Sequence, residues 1–499
     1  MSVQAWIDQG VWVRWLLQRG LGAIYLLAFC SALNQFPALL GEHGLLPVPR
    51  WLPTVSFWKA PSLFHLHYSD PAFRGLAWAG ILLSLLALFG LSDAGPLWLS
   101  VGVWATLWVL YLSIVNVGQT FYAFGWESML LEAGFFAVFM GPTGLAPSLV
   151  PILALRFMLF RTELGAGLIK LRHDSCWRDL TCLYYHYETQ PLPNPFSWYF
   201  HHLPRWVHRS GVVFSHFVQI VVPFSLVLPQ PWAACGAVLI IGHQLLLIVS
   251  GNYAWLNWLT VVIGISALPE SWLQAVFPAA SPVHAPGPRW EAVQYALGAL
   301  PVALGIQPTL NLTHAHQRMN CSYNSLHLVN AYGAFGSVTR ERHEVVIEGA
   351  AADGEWKEYG LRGKPGELGR RPAWVAPYHL RLDWAMWFLP LRLSQRPPGW
   401  FSRLMFHLLE GDEHSLRLFK HNPFAQAPPQ RVRALLYTYR FSTRAERKRE
   451  RVWWTRERIA ELWSAEREAP TLGLSLSLSL SLKAQAWDSA PRLRTRSHG

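Results

Sequence analysis

Ionisable side chains are scarce in this 499-residue chain, with 14% Asp, Glu, Lys or Arg against 52% hydrophobic residues. With 27 Trp and a mean hydropathy of +0.19, that balance describes an integral membrane protein better than a soluble enzyme. Cysteine is nearly as rare. Cys30, Cys176, Cys182, Cys235 and Cys321 form no CxxC pair and no zinc-ligand spacing, and their odd number argues against a disulfide-built scaffold, so most are expected as buried thiols. Catalytic signatures are missing as well: no HExxH, no GxSxG nucleophile elbow and no GxxxxGK[ST] phosphate loop occurs. Nothing in the sequence therefore speaks for ATP use or ester cleavage. A cleavable secretion signal is not evident either, because the first apolar run, Val11 to Leu40, has no convincing small-residue cleavage site and continues into a Pro-rich loop.

What is present is a series of apolar runs of membrane-spanning length, about 20 residues each. They lie at 11–40, 74–92, 96–117, 150–170, 211–229, 232–250 and 289–307, with shorter runs at 127–141 and 254–269. The expectation is a polytopic α-helical bundle of seven to nine membrane segments over residues 1–309. Charge divides the chain in the same place. Residues 1–309 hold 13 Lys/Arg against 12 Asp/Glu, and residues 310–499 hold 29 against 18. Residues 343–362 show two β-type segments around an Asp353-Gly354 turn, which predicts a hairpin in a water-facing, mixed α/β and β-rich C-terminal domain over 310–465. The LSLSLSLSL repeat makes 466–499 a low-complexity, disordered tail. Basic side chains occur in several loops, so the positive-inside rule assigns no orientation.

The stretch RFMLFRTELGAGLIK, residues 156–170, carries Arg156, Arg161, Glu163 and Lys170 inside an apolar run. At about 3.6 residues per turn, positions seven apart superimpose, so Arg156, Glu163 and Lys170 share one stripe and Arg161 faces elsewhere. Charge within a membrane costs roughly 2.5–3.5 kcal/mol per group on insertion scales, so the stripe is expected to face the bundle interior. The structural reading has Arg156 and Lys170 snorkelling to opposite interfaces and Glu163 paired with an arginine. The chemical reading makes Lys170 and Glu163 a catalytic or ligand site. Gly165, Ala166 and Gly167 let another helix approach closely. Glu127 sits near a helix start, where the helix dipole favours it, and Glu132 lies deeper as a candidate partner for Arg161. These six residues form a candidate intramembrane charge network.

Asn252 and Asn257 fall among aromatics at a membrane boundary, where interhelical hydrogen bonding is the expected role. Residues 181–209 concentrate His186, Glu188, His201, His202 and His208 among aromatics and prolines, which reads as an ordered surface. His186 and Glu188 form a fragment of a metal motif without its PCxxC partner, so neither a metal nor a cofactor is assigned. The basic C-terminal half lacks a nucleic-acid motif, so a solvated or headgroup-facing surface is expected rather than nucleic acid. Trp374, Tyr378, Trp384, Trp387 and Phe388 are either domain core or candidate aromatic anchors for contact with another protein.

Several long blocks resemble the lipase maturation factors. They are GWESMLLEAGF (125–135), RFMLFRTELGAGLIKL (156–171), YHYETQPLPNPFSWYFHHLP (185–204) and GNYAWLNWLT (251–260). The resemblance continues through HLVNAYGAFGSVTRERHEVVIEG (327–349), residues 355–388 and NPFAQAPPQRVRALLYTYRFS (422–442). It implies a multi-pass membrane protein that brings secreted lipases to their active, assembled form, with client lipases engaged by the C-terminal domain. It also implies residence in the endoplasmic reticulum membrane for an animal member and in the cell inner membrane for a bacterial one. The chain lacks the longer insertions of the larger animal members and any evident retention tail. A second, local resemblance links GAGLIKLRHDSCW (165–177) to vitamin K-dependent carboxylase-type proteins, in which a lysine at the Lys170 position acts as base. That alternative requires a desolvated, neutral amine, which the neighbouring Glu163 opposes.

Overall fold

A computed structural model of the protein describes residues 10–277, 283–352, 354–392 and 396–467. The low-complexity tail, apart from its first two residues, and Asp353 of the expected turn lie outside the described residues. The membrane half is built from α1 (Val11–Leu40), α2 (Asp70–Leu88), α3 (Leu97–Val117), α4 (Gly125–Ala137), α5 (Leu149–His173), α6 (Arg205–His216), α7 (Trp232–Ser250), α8 (Leu256–Gly264) and α9 (Pro288–Leu304). Helix α6 continues through a π-helical turn, Phe217–Val221, and a 3-10 segment, Val222–Val227.

Five helices among the described residues are long and apolar enough to cross a membrane: α1, α2, α3, α6 with its continuation to Val227, and α7. The expectation of seven to nine counted more. Helix α5 is long enough, roughly 37 Å at about 1.5 Å per residue, but it carries too much charge, whereas α4, α8 and α9 have only 13, 9 and 17 residues.

Contacts at the helix ends fix the packing. Helix α1 has no side-chain cap of its own; instead the Glu270 carboxylate accepts from the Gly10, Trp12 and Val13 amides at 3.2, 3.0 and 3.4 Å, satisfying N–H groups that no helical turn can reach. At the same end Arg14 donates to the Thr143 and Leu145 carbonyls, Arg19 pairs with Asp93 at 2.7 Å, Gln230 reaches the Ala267 carbonyl, and the His284 amide donates to Gly144. At the opposite end Gln35 donates to the His379 carbonyl, Asn116 to Ser325 and Asn252 to Ala373, which brings the C-terminal half against the bundle.

That half contains four strands, β1 (Arg342–Ala350), β2 (Trp356–Glu358), β3 (Arg431–Phe441) and β4 (Trp454–Glu466), in the order β2-β1-β3-β4, all antiparallel. The expected hairpin is β1–β2, with Gly354 at φ +79 in the turn. Helices α10 (Arg381–Phe388) and α11 (Gly399–Glu410) complete the domain. Helix α11 buries Trp400, Phe401, Leu404, Met405 and Leu408, a run at helical spacing that faces one side only. The cysteine expectation is corrected: Cys176 and Cys182 are joined as a disulfide, because the short helix Ser175–Arg178 turns the chain back on itself, while Cys235 is exposed and Cys30 and Cys321 are half-buried.

Candidate functional site

Helix α5 carries the centre of the molecule, and all four of its central charges are buried. Arg161 pairs with Glu132 of α4, the partner suggested by the sequence, and also donates to the Asn330 carbonyl. The second Glu132 oxygen accepts from the Asn330 amide at 2.9 Å, its side chain at 3.0 Å and the Tyr332 hydroxyl at 2.8 Å. The carboxylate is thus fully committed, which is what makes a buried ion pair tolerable. Residues 330–332 come from well beyond α9, so the C-terminal half supplies part of this cluster.

Glu127, in the first turn of α4, meets Arg381 at 2.7 Å, His379 at 3.5 Å and the Tyr111 hydroxyl. The Arg381 guanidinium lies 3.4 Å from the Tyr122 ring centroid and donates to the Phe121 carbonyl. An arginine and a histidine of the C-terminal half are therefore fully enclosed by the bundle.

The stripe on α5 behaves differently from the snorkelling expectation. Lys170 stays inside, donating to Gln219 at 2.6 Å and Ser215 at 3.3 Å, with its ammonium 4.8 Å from the Trp177 ring centroid. Arg156 is also buried and donates to the Ser266 carbonyl at 2.7 Å. Glu163 accepts from Gln244 at 2.6 Å and Gln219 at 3.2 Å, in place of the expected arginine. Internal amides satisfy both ions, so neither gains by reaching water. Gln219 sits in the π-helical turn after α6 and bridges Glu163 and Lys170. The close helix approach expected at the small residues is observed at Gly167, where a Cβ would meet the Gln219 carbonyl at 2.8 Å, whereas at Gly165 the Tyr332 carbonyl of a loop takes the space a Cβ would need.

Glu163 and Lys170 line a cavity of about 540 Å³ walled mainly by apolar side chains of α4 to α8, the 183–208 segment and residues 332–337. The volume falls within the roughly 300–1,000 Å³ of small-molecule sites.

The 181–209 segment joins bundle to sheet. Trp198 donates to the Ser442 carbonyl at 2.8 Å, and Glu188 accepts from the Phe441 amide at 2.7 Å. Burial pushes the Glu188 carboxyl up to about 7, while the Phe441 hydrogen bond and the charges of Arg342 and Arg440 pull the other way. His186 instead reaches the Tyr253 hydroxyl at 2.9 Å, so His186 and Glu188 do not converge. Asp174, Cys176 and Cys182 do lie together, but the two sulfurs are bonded to each other and the carboxylate accepts from the Cys176 and Val338 amides and Arg340. In the sheet domain Glu344 holds both Arg342 and Lys364 at 2.5 Å, and Asp383, raised to about 6 by burial, accepts from the Gly363 and Lys364 amides.

The five aromatic candidates separate. Trp384 is buried, 4.9 Å from Trp126 between ring centroids; Tyr378 accepts from Gln35; Trp387 donates to the Thr189 carbonyl. Those three serve the contact with the bundle, and only Trp374 and Phe388 are exposed. Asn252 ties loops rather than helices, donating to Pro193 and Ala373 and accepting from Val375 and Ala376. Gln219, Gln244, Asn330, Tyr332, His379 and Arg381 went unnoticed in the sequence. A glutamine in an otherwise apolar helix, as Gln244 in α7, is the signal that could have found two of them.

A helical bundle with buried ion pairs and a small antiparallel sheet locked to one end defines a multi-pass membrane protein of two interdependent halves. Residues 12–275 match the lipase maturation factor transmembrane domain, and residues 328–464 match the lipase maturation factor C-terminal domain. The chain belongs to the lipase maturation factor family. It is 39% identical to Lipase maturation factor 1 of Homo sapiens, over 89% of this chain and 86% of the relative. The Bos taurus protein of the same name is also 39% identical, over 89% and 87%. Lipase maturation factor 2 of Rattus norvegicus is 30% identical, over 90% and 82%. No solved structure matches the chain.

Proposed function

We propose that this protein is a membrane-anchored maturation factor that helps secreted lipases fold and assemble, acting through contact surface rather than through catalysis. The observation that carries this reading is the likeness to Lipase maturation factor 1 across nearly the whole of both chains. A folding factor needs exposed apolar and aromatic area, because incompletely folded clients expose the same. Trp374 is 44% exposed and meets Phe196, itself 43% exposed, with Tyr199 in the short helix that follows, Ser197–His201, 45% exposed. These three rings make the client surface of this proposal.

The domain division of this reading keeps 1–309 as the membrane bundle and 310–465 as the client-facing domain. Nine membrane passes are supported by the end contacts, since successive helices start and finish alternately beside Arg14 and beside the sheet. The short passes, α4 and α8, and the charged one, α5, are enclosed by the others. The 174–209 segment and the sheet contact each other and so share one side, and the Cys176–Cys182 disulfide favours an oxidising compartment for it: the reticulum lumen, or the periplasm in a bacterium. Arg50, Lys59, Arg172 and Arg178 at that end run against the positive-inside rule, but a cytosolic thiol pair would stay reduced.

Two measurements test the proposal. Secreted lipase activity per mass of lipase antigen falls when the protein is deleted and returns with the wild type and with Lys170→Ala. Unchanged specific activity on deletion overturns the maturation role, and failure of Lys170→Ala at normal protein level overturns the non-catalytic part. In a eukaryotic host, glycan attachment at the sequons of Asn311 and Asn320 checks the side; cytosolic accessibility of these residues overturns it.

A further inference from the structure

We propose that the cavity beside α5 is a binding site for a neutral single-chain lipid with a hydroxyl-bearing head, of the monoacylglycerol class. The inference does not depend on the maturation reading. The cavity holds about 540 Å³ and is walled largely by apolar side chains, as an acyl chain requires. Leu203 at 37% exposure, Leu246 at 52% and Phe388 at 36% belong to its wall; Leu246 is on α7, one of the five membrane-length helices, and Leu203 and Phe388 lie where bundle and sheet domain meet, so the opening is rimmed by apolar groups at that junction. An apolar chain suits such a rim.

The polar groups of the cavity wall select the head. Lys170 and Glu163 bring one charge of each sign, bridged by Gln219, so a charged head would leave an uncompensated ion in a low-dielectric site. Four buried polar atoms of the wall have no partner among the described residues: Asn257 Oδ1, His208 Nδ1, His243 Nδ1 and the donor Trp384 Nε1. The residues are 3%, 4%, 4% and 4% exposed. Asn257 Oδ1 can only accept. His208 Nε2 lies 2.8 Å from the Phe200 carbonyl and so must donate there, which leaves Nδ1 of the neutral ring as an acceptor too. A buried unsatisfied acceptor is costly, and a ligand hydroxyl removes that cost. A hydroxyl both donates and accepts and so serves these acceptors and the Trp384 N–H alike, whereas a carboxylate brings only acceptors and serves the Trp384 N–H alone.

The test uses the purified full-length protein in phospholipid nanodiscs and a photoactivatable monoacylglycerol, with a photoactivatable fatty acid of the same chain length as comparator. Labelling is expected in peptides of α5 to α8, competed by unlabelled monoacylglycerol with at least tenfold preference over the fatty acid. Asn257→Leu, which keeps volume and removes the acceptor, should weaken competition about tenfold. Leu246→Trp, at an exposed rim position, should block labelling while leaving the elution profile and melting midpoint unchanged. Equal labelling of the wild type and a folded Leu246→Trp variant overturns the site, and preference for the fatty acid overturns the head assignment.

Discussion

Arg161 shows what a buried charge does when every partner is internal. Removing it leaves Glu132 with three neutral donors and no counter-ion in the interior, and breaking such a pair costs about 3–5 kcal/mol. Arg161→Ala should therefore lower the melting midpoint in detergent sharply, while Arg172→Ala, nearer the helix end, should change it little. Glu188 gives a pH signature. Its folded value, about 7, lies above the ordinary 4.5, so the native state keeps a proton that the unfolded chain releases. Its stabilising contribution is complete below about pH 4.5 and is lost as pH rises to about 7, by roughly 3 kcal/mol in full. A stability profile across that window should flatten in Glu188→Gln; an unchanged slope means another group carries it. Of these residues the sequence disclosed Glu132 and Arg161 as a pair, because charges within apolar runs are conspicuous. It could not disclose Asn330 or Tyr332, since ordinary polar residues in a loop carry no mark of where the loop goes.

At the scale of elements, α5 is held by contacts too close for side chains. Gly165 admits the Tyr332 carbonyl and Gly167 the turn after α6. Gly165→Ala puts a Cβ against backbone that cannot swing aside, and overpacking of this kind costs typically 1–3 kcal/mol. The same change at Gly102 of α3, where a Cβ meets nothing, should be neutral or slightly stabilising. Paired melting curves of the two variants check this, and equal midpoints would refute it. Helix spacing placed Gly167 on the charged stripe and Gly165 and Ala166 beside it. The identity of their neighbours depended on a π-helical turn, which adds a residue per turn and re-aims Gln219 toward both ions, a local irregularity that hydrophobic periodicity does not encode.

For the whole molecule, the decisive contact is the plug of His379 and Arg381 in the bundle. Arg381 is fully enclosed and joins Glu127, Tyr122 and the Phe121 carbonyl, so the C-terminal half cannot leave without exposing an unpaired buried carboxylate. Arg381→Ala should release that half: limited proteolysis should cut between α9 and β1 at least tenfold faster, and lipase specific activity should fall although the protein remains inserted. Wild-type proteolysis in that variant would show that the surrounding aromatic contacts suffice.

Composition alone determined that the chain belongs in a membrane, and the hairpin residues alone determined where the β-rich half begins its sheet, because hydropathy and turn chemistry act over a few neighbouring positions. Tertiary structure decided everything that depends on residues distant in sequence. The joined sulfurs of Cys176 and Cys182, the amides around Glu163 and Lys170 and the capture of Arg381 by Glu127 are of this kind. The physical reason is that a buried polar group must find a partner wherever the fold brings one, and in Arg381 that partner lies 254 positions away.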